Sequence, residues 1–572
     1  MVLYVIETIL FMLGGIGALL IGFEMLSNSI TKIFHSQLKS LFNKTSSNPL
    51  IGVLIGLTAT MIIQSSGATT VMIVGFVNTG IMNLFQATAM IMGSNIGTTI
   101  TAQIASLSGG SGFDFGAIAL GFTGIGAFVS LFSKNEKVKT FGNFLSGFGL
   151  LFLGLDCVST SIGMEYNGSP LFKNTIEKVL SNEFISTSAL APFLLFLVGI
   201  VMTALTQSSS LITSIVIAFV AKDIFIGAAP GATSLNNNVL YLILGTNIGS
   251  CVTALLSSTG ASTNAKRASC IHLLFNTLGS IVFMIFLLLW PGFMEQTFVK
   301  WFPKTGSQIA MFHTFFNVTC TLIFLPFIKV FVKVASTIVK DKEIVSDSPS
   351  LVFVDERLLS TPSVAVHQVR KELGLMYSKA LNILNISLDG FLNYDPSVRD
   401  EVDKVNEELY VTNKLVVEYI VKLSTQQLVL EDESTLSAFQ RTLNDILRIG
   451  EIAENICKYV KQAVNNELVF SPNVKLHIGF MKNKINALYE KSDEIFMTKN
   501  INKIPEADVI EDEIDLMRKQ MIEDHMERLK LKECSPQNSG VFVNLVNNME
   551  RAADHMVYIA YSVKEAKEQF QK

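Results

Sequence analysis

Apolar stretches long enough to cross a membrane recur through the first 333 residues of the chain. A helix needs about 20 mostly apolar residues to span the hydrocarbon core of a bilayer. On that criterion we predict seven spanning helices, near residues 4–30, 82–106, 114–133, 141–163, 233–256, 267–290 and 308–332. This part of the chain, residues 1–333, is therefore predicted to be an all-α, polytopic membrane domain.

Two further apolar stretches, 50–78 and 186–221, are interrupted by a polar Gln-Ser-Ser cluster. The apolar arms on either side of each cluster are too short to span a bilayer separately. We interpret both stretches as re-entrant hairpins with polar tips at mid-membrane depth. Non-helical backbone is tolerated at that depth only where protein buries it or where it lines a cavity.

Three sequence elements occur twice and in the same order. Residues 17–30 match 149–162, residues 64–67 (QSSG) match 207–210 (QSSS), and residues 93–102 match 245–254. These matches predict an internal duplication, with repeats over about 4–133 and 141–290 and an extra helix at 308–332. Three predicted spans and one hairpin separate the two starting points, and this odd number of crossings makes the second copy inverted. Inverted repeats with interrupted helices are typical of secondary transporters, whose substrate sites lie near the membrane midplane.

Charge divides the chain into two parts of opposite sign. Residues 1–333 contain 15 Lys or Arg and 10 Asp or Glu, a net charge of +5, whereas residues 334–572 contain 29 and 38, a net charge of −9. We predict a linker at 334–362 and an acidic all-α helical bundle at 363–572, with about six helices in two three-helix units. Of the basic residues in the predicted loops, eight lie in the segments predicted to be cytoplasmic and five in those predicted to be external. The positive-inside rule therefore places the N-terminus outside the cell and the bundle in the cytoplasm.

The polar clusters of the two hairpins are rich in neutral oxygens and hydrogen-bond donors, and the repeated elements contain no Lys or Arg. An unpaired charge at the bilayer centre costs at least about 2.5 kcal/mol. Helix N-termini after Gln-Ser-Ser offer N–H groups to an oxyanion, while backbone carbonyls with Ser, Thr and Asn oxygens suit Na⁺. An anion and Na⁺ bound together would screen each other. The alternative is that these small residues only pack helices together.

Glycines and ionisable residues complete the candidates in the membrane domain. Four glycines of the third element are expected to break their helices and let the backbone approach the ions: Gly93, Gly97, Gly245 and Gly249. Glu24 and Asp156 occupy equivalent repeat positions, where they either bind a cation or gate the pathway, or are simply hydrated near a helix end. His272 and His313 are expected to be packed and hydrogen-bonded, with a protonation role as the alternative.

The paired Q-S-S and G-x-N-I-G-[ST] elements resemble those of type II sodium–phosphate cotransporters and their bacterial relatives, over roughly residues 10–330. The resemblance implies sodium-coupled uptake of inorganic phosphate across the plasma membrane by alternating access. It implies that phosphate and sodium are bound by Gln64, Ser65, Ser66, Asn95, Thr98, Gln207, Ser208, Ser209, Ser210, Asn247 and Ser250. Thr69, in the first polar cluster, is a further candidate ligand. Gly67 departs from the family motif, so the first copy is expected to lack one hydroxyl ligand.

Residues 447–456 and 550–556 resemble the E-R-I-G-D-H-A-x-N-I element of PhoU-like domains. That resemblance implies a regulator of phosphate uptake, and such domains often bind metal. Glu550 and Asp554 lie at positions i and i+4, on one helical face, where two carboxylates can share a divalent metal. Glu451 is a further candidate ligand, because the first copy has Leu447 where the family has its acid. A solvated acidic face is the alternative.

Sodium-coupled symport of phosphate, with a cytoplasmic PhoU-like regulatory domain, is therefore the predicted function. The alternatives are sodium-coupled transport of another small oxyanion and a phosphate-responsive membrane sensor. An enzyme or an ATP-driven pump is not expected, because the sequence has no Walker A motif, G-x-S-x-G element or His/Cys metal cluster. The expected partners are phosphate, sodium ions, the lipid bilayer and a second copy of the chain in a homodimer, but no nucleic acid.

Overall fold

The computed structural model describes residues 2–34, 37, 41, 48–109, 115–166, 168–170, 173–174, 190–222, 237–340, 351–426, 428–532 and 534–571. These residues are mostly helical and belong to two compact units, 1–343 and 344–572, which are described separately. The first residues of the predicted hairpin 186–221 and of the predicted span 233–256 lie outside the described residues, as do residues 341–350 of the predicted linker.

Five of the seven predicted spans coincide with one helix each, the spans 233–256 and 308–332 coincide with two successive helices each, and each predicted hairpin is a pair of helices. The described part of the first unit forms α1 (Val2–Ile33), α2 (Pro49–Ile63), α3 (Ser66–Asn78), α4 (Leu84–Ala105), α5 (Phe115–Phe132), α6 (Glu136–Gly163), α7 (Ala191–Thr206), α8 (Ser209–Val220), α9 (Asn238–Gly249), α10 (Cys251–Ser257), α11 (Thr263–Leu289), α12 (Phe293–Gln296), α13 (Phe298–Trp301), α14 (Thr305–Phe324) and α15 (Ile328–Ile338). The last span was predicted to end at 332, which is too early. Its apolar face continues through the exposed Val334 and Ile338, and Ala335 is fully buried.

Five segments of the described residues are long and apolar enough to cross a membrane by themselves: Leu3–Ile33, Glu136–Gly163, Asn238–Ser257, Thr263–Leu289 and Thr305–Ile338. The helices of the two predicted hairpins, α2, α3, α7 and α8, have 15, 13, 16 and 12 residues. With a rise of about 1.5 Å per residue, each is shorter than a hydrocarbon core of about 30 Å. Their re-entrant path and the count of seven crossings stay predictions.

Helices α1 and α6 carry the two copies of the first repeated element and pack against each other at glycines. A Cβ added to Gly15 would lie 2.9 Å from the carbonyl oxygen of Gly154, and one added to Gly22 would lie 2.9 Å from that of Gly147. The earlier glycine of α1 thus meets the later glycine of α6, so the two helices run antiparallel. Small residues permit such close approach of backbones in membrane proteins. Inversion of the whole second copy stays a prediction, which this antiparallel pair supports.

The described part of the second unit contains six long helices, the number predicted: α16 (Pro362–Asn393), α17 (Val398–Ser424), α18 (Leu430–Asn465), α19 (Pro472–Thr498), α20 (Ile504–Lys530) and α21 (Pro536–Gln571). The end of the predicted linker is fixed to this bundle. The backbone N–H groups of Val352 and Phe353 donate to the buried Glu372 carboxylate of α16, at 2.9 and 2.6 Å. A short 3₁₀ helix, Glu356–Ser360, then leads into α16.

Candidate functional site

The first Gln-Ser-Ser cluster forms a sharp break between α2 and α3. Gln64 ends α2 in the left-handed conformation (φ 58°, ψ 18°), and Ser65 is extended (φ −146°, ψ 113°) and caps α3. The Ser65 Oγ accepts a hydrogen bond from the N–H of Ala68 at 3.2 Å. Serine suits this position because its hydroxyl can occupy one of the N–H groups that a helix start leaves without an acceptor.

The second cluster repeats this geometry between α7 and α8. Gln207 is left-handed (φ 53°, ψ 22°), Ser208 is extended (φ −138°, ψ 100°), and the Ser208 Oγ accepts from the N–H of Leu211 at 3.2 Å. The sequence match between residues 64–67 and 207–210 is therefore also a match of backbone conformation. The prediction that each Gln-Ser-Ser interrupts its helix is confirmed.

Glycines hold the helix before each break tightly against the helix that carries the Asn-Ile-Gly element. In the first copy, a Cβ added to Gly56 of α2 or to Gly93 of α4 would lie 2.0 Å from a backbone carbonyl oxygen of the other helix. In the second copy, the corresponding distances for Gly199 of α7 and Gly245 of α9 are 2.2 and 2.1 Å. Each break is thus anchored to its neighbouring helix in the same way.

These contacts correct the role predicted for Gly93 and Gly97, whereas α9 does end at Gly249, as was predicted for that glycine. Helix α4 runs without interruption from Leu84 to Ala105, so Gly93 and Gly97 do not break it. Gly97 and Gly249 face α2 and α7, where an added Cβ would lie 2.6 Å from a carbonyl oxygen. The glycines therefore serve helix packing, because a side chain at any of these positions would push two backbones apart.

The two breaks line one cavity of about 190 Å³. Its lining residues are Phe23, Glu24, Ser27, Gln64, Ser65, Ser66, Gly67, Gln207, Ser208, Ser209, Ser210 and Ser250. The structure therefore brings together seven predicted residues of the two clusters with Ser250 and Glu24. Glu24 is the one charged residue in this lining.

Unpaired donors of two helix starts belong to this lining. The first N–H groups of an α-helix have no acceptor within the helix. With Ala68 and Leu211 capped by serines, the N–H groups of Ser66 and Gly67 in α3 and of Ser209 and Ser210 in α8 have no acceptor within their own helices, and all four residues line the cavity. Two helix N-termini and several hydroxyl groups thus converge on one space, an arrangement that favours an oxyanion.

Four predicted ligands do not line the cavity but are buried within their own helices. Thr69 donates to the carbonyl of Ser65 at 2.9 Å and Thr98 to that of Ser94 at 3.1 Å. The side-chain amides of Asn95 and Asn247 donate to carbonyls one turn earlier, at 3.0 and 3.3 Å. Their polar groups are hydrogen-bonded inside the helix that carries them. Asp156 is exposed and also lies outside the lining, unlike its repeat counterpart Glu24.

The two copies differ in how their glutamines are held. The Gln64 Oε1 accepts a hydrogen bond from the Thr101 hydroxyl at 3.0 Å, whereas Gln207 is exposed and the corresponding Thr253 hydroxyl is buried without a hydrogen-bond partner among the described residues. Gly67 has room for a side chain, because an added Cβ would lie 3.6 Å from the nearest atoms of Thr253. The missing third serine is therefore not imposed by packing.

Two residues of the first unit were missed by the sequence analysis. Ser27 lines the cavity and donates to the carbonyl of Ile63, at the end of α2, at 2.6 Å. Asn276 follows His272 in an H-x-x-F-N pattern that returns at His313 and Asn317, and this repetition was visible in the sequence. His272 contacts Asn276 as expected of a hydrogen-bonded residue, but neither ring nitrogen of His313 has a partner among the described residues.

The predicted metal ligands of the second unit lie in an acidic region. Burial raises the pKa of Glu550, and the neighbouring Asp554 carboxylate raises it further. Glu550 also forms an ion pair of 3.4 Å with Arg518, and Glu451 accepts from the Tyr410 hydroxyl at 3.1 Å. Among the described residues, no group of three His, Cys, Asp or Glu side chains is placed to hold one metal ion. A metal shared by Glu550 and Asp554, with Glu451 as a further ligand, stays a prediction.

Comparisons with known proteins agree with this organisation. A family model described as Na⁺/Pi-cotransporter matches residues 18–160 and 162–292, and one described as PhoU domain matches 373–460 and 478–563. The uncharacterized protein YqeW of Bacillus subtilis is 30% identical over 325 residues, 56% of this chain and 95% of that protein. The "Putative inorganic phosphate export protein YjbB" of Escherichia coli is 20% identical over 561 residues, 98% of each chain.

A shorter match concerns an animal protein. The sodium-dependent phosphate transport protein 2A of Rattus norvegicus is 42% identical over 65 residues, 11% of this chain and 10% of that protein. The family match covers both copies of the repeated elements that line the cavity, and the PhoU match is likewise double. The chain belongs to the Na⁺/Pi-cotransporter family and carries a PhoU domain in its second unit.

Proposed function

We propose that this protein couples the movement of inorganic phosphate to sodium ions, and that both bind in the cavity between the two Gln-Ser-Ser breaks. The observation that carries the proposal is the convergence of both breaks, one from each repeat, on a single space of about 190 Å³. Ser65 and Ser208, the two caps, stand at equivalent positions on its wall. A site assembled from both repeats changes shape when one repeat moves against the other, as alternating access requires.

The chemistry of the lining suits an anion accompanied by a cation. The N–H groups at the starts of α3 and α8 and the serine hydroxyls are donors for phosphate oxygens. The same hydroxyls and the glutamine carbonyls are neutral oxygen ligands for Na⁺. The lining contains no Lys or Arg, and its one charge, on Glu24, is negative. Phosphate would therefore be repelled in a low-dielectric site unless a cation entered with it.

Alternating access further requires the arrangement predicted from the sequence. The two hairpins would enter from opposite faces of the membrane, and the second repeat would be the inverted copy of the first. The antiparallel packing of α1 against α6 supports this arrangement. The N-terminus would lie outside and the PhoU domain in the cytoplasm, where it would regulate transport. A homodimer in the lipid bilayer is the expected assembly.

The direction of net transport follows from the gradients. Phosphate and Na⁺ moving together enter the cell when the inward sodium gradient exceeds the outward driving force on phosphate. The same cycle runs in reverse when that balance is reversed. The name of YjbB, which describes a phosphate export protein, is therefore compatible with a sodium-coupled cycle in this chain. The assay must for this reason measure flux in both directions.

The experiment is phosphate flux in proteoliposomes containing the full chain. We expect uptake of labelled phosphate with an inward sodium gradient, efflux from preloaded vesicles with an outward one, and only background flux with potassium. Flux without sodium dependence would refute the coupling. No flux in either direction, together with phosphate-dependent protection from proteolysis, would favour the sensor. Flux of sulfate in preference to phosphate would favour another oxyanion.

Substitutions at the two cap serines test whether the cavity is the binding site. Ser65→Ala and Ser208→Ala each remove a helix cap and a cavity hydroxyl, and each is expected to abolish most of the flux while the protein still elutes as a single species. Ser94→Ala is the matched control, because the Ser94 hydroxyl is buried and donates to the carbonyl of Ile91 in its own helix. Full activity of both cap variants, or equal loss in the control, would exclude the cavity as the site.

A further inference from the structure

A carbonyl in the second Asn-Ile-Gly element is held from the side by a neighbouring helix. The side-chain amide of Asn276, on α11, donates to the carbonyl oxygen of Asn247, on α9, at 3.0 Å. The same carbonyl accepts the Ser250 hydroxyl at 2.7 Å and the Cys251 thiol at 3.5 Å. Asn276 is only 1% exposed, so this bond lies in the interior of the unit.

The amide of Asn276 is itself fixed by two further contacts. Its nitrogen lies 3.1 Å from the Sγ of Cys251 and 3.1 Å from the Nε2 of His272. The amide nitrogen carries two N–H groups, so it can donate to two of its three neighbours, the Asn247 carbonyl, Cys251 and His272, at one time. The side chain of Asn276 therefore points at the end of α9 and is held there.

The helix is interrupted at this point. Helix α9 ends at Gly249 and α10 begins at Cys251, with Ser250 between them. Interruptions of this kind arise where a side chain inserts into the ladder of backbone hydrogen bonds. Ser250, at the interruption, lines the cavity, although it is only 5% exposed.

The first Asn-Ile-Gly element is continuous, and the second H-x-x-F-N pattern, which lies on α14 beyond the two repeats, does not form this bond among the described residues. Asn317, the counterpart of Asn276 in the H-x-x-F-N pattern, donates to the carbonyl of His313 in its own helix at 2.9 Å. Helix α4 runs unbroken past Thr98, the counterpart of Ser250, and Thr98 does not line the cavity. The bond to the asparagine carbonyl, the interruption and the cavity hydroxyl thus occur together at the second Asn-Ile-Gly element. Among the described residues none of the three occurs at the first element, where Thr321 of α14 instead donates to the carbonyl of Met92 at 3.3 Å and α4 stays continuous.

We propose that Asn276 is a positioning residue: by holding the Asn247 carbonyl it maintains the helix interruption that presents the Ser250 hydroxyl to the cavity. Asn276 acts on the site through Ser250 and does not itself line the cavity. The consequence for phosphate affinity rests on the proposed function, but the position of Ser250 does not.

The position of Ser250 is tested by thiol labelling, which needs no transport. The parent is the full chain in which the three partly exposed cysteines, Cys157, Cys270 and Cys534, are replaced by serine, while the buried ones remain. A cysteine introduced by Ser250→Cys is expected to react with a small membrane-impermeant methanethiosulfonate. Adding Asn276→Leu should slow that reaction about five- to tenfold, the factor that one net hydrogen bond is worth.

Asn317→Leu is the matched control and should leave the labelling rate unchanged. No labelling of the Ser250→Cys parent, an unchanged rate with Asn276→Leu, or an equal slowing with Asn317→Leu would each overturn the proposal. Should Asn276→Leu fail to elute as a single species, the smaller Asn276→Ala replaces it and carries the same expectation.

A second arm uses phosphate flux. Asn276→Leu and Ser250→Ala should each raise the KM for phosphate about fivefold, and the double variant should be no worse than either single one, because one residue acts through the other. If the increases in KM of the two single variants add in the double variant, Asn276 acts independently of Ser250, and the proposal is overturned. Wild-type protein without flux would refute the proposed function alone, since the labelling arm still decides the role of Asn276.

Discussion

The contact between α2 and α4 allows a sharp prediction about a single methyl group. In Gly93→Ala, the new Cβ would stand 2.0 Å from the carbonyl oxygen of Val53, whereas Cβ contacts below 3.0 Å essentially do not occur. The helices must therefore separate by about 1 Å, a gap that forfeits a quarter to a half of the dispersion energy between facing atoms. We expect a loss of about 3 kcal/mol, the upper end of the cost of overpacking.

The control lies in the same unit. In Gly67→Ala the new Cβ would be 3.6 Å from the nearest side-chain atoms of Thr253, an ordinary contact. Since alanine is favoured over glycine within a helix by about 0.5–1 kcal/mol, this variant should be as stable as the wild type or slightly more so. Gly245→Ala, with its Cβ 2.1 Å from the carbonyl oxygen of Phe196, should behave like Gly93→Ala.

The assay is thermal unfolding of the full chain in detergent, followed by the loss of the monodisperse elution peak. At about 2.1 cal/mol/K of unfolding entropy per residue, a loss of about 3 kcal/mol corresponds to a fall in melting temperature of roughly 4 °C in this unit. Equal melting temperatures for Gly93→Ala and Gly67→Ala would refute the reasoning. They would mean that the backbones are not in contact at Gly93.

Three further predictions concern charges. Glu24→Gln should raise the sodium concentration for half-maximal phosphate flux about fivefold, because a hydrated ion pair contributes ~1 kcal/mol. Flux at saturating sodium should be retained. An unchanged sodium dependence would contradict this prediction. Arg370→Met removes a buried guanidinium that donates to the Phe496 carbonyl at 2.6 Å and faces the buried Asp432. This substitution should destabilise the second unit by about 3 kcal/mol. The loss should be measurable as faster hydrogen exchange in α16 and α19. Burial raises the pKa of Asp554, and a carboxyl whose pKa is raised by folding stabilises the fold at low pH and loses that contribution as pH rises through the raised pKa. Asp554→Asn should therefore raise the melting temperature near neutral pH, and the gain should vanish below about pH 4, the unfolded value; a gain that persists there would point to another cause.

The polar residues within two apolar segments were enough to predict where the chain breaks its helices at the Gln-Ser-Ser clusters. An apolar stretch with Gln64 or Gln207 at its centre cannot remain a lipid-exposed helix at that point, so local sequence determined where the chain interrupts its helices. The lengths of the apolar stretches likewise predicted the positions of the spanning helices, because a lipid-exposed segment must be apolar and helical. The repeated elements also indicated which residues would meet, because equivalent breaks in two repeats are expected to converge.

The role of the third element could not be obtained in this way. A glycine relaxes the backbone and also permits close packing, and only the neighbouring helix decides which property is used. Gly97 packs against α2 and leaves α4 straight. The interruption near Ser250 accompanies a side chain on another helix, Asn276, and the residues around Ser250 do not reveal that contact. Asn95 and Asn247 were expected to line the site, but both are buried and their amides donate to carbonyls of their own helices.

The reciprocal glycine contacts of α1 and α6 have the form of an isologous interface. Gly15 is the repeat counterpart of Gly147, and Gly22 that of Gly154, yet Gly15 meets Gly154 and Gly22 meets Gly147. Two identical half-size chains related by a two-fold axis would form the same contact, with residue i of one touching residue j of the other and the reverse. An ancestor of half this length could thus have assembled from two copies inserted in opposite orientations. Fusion into one chain then freed the copies to diverge, and the difference between Gly67 and Ser210 is a change of this kind.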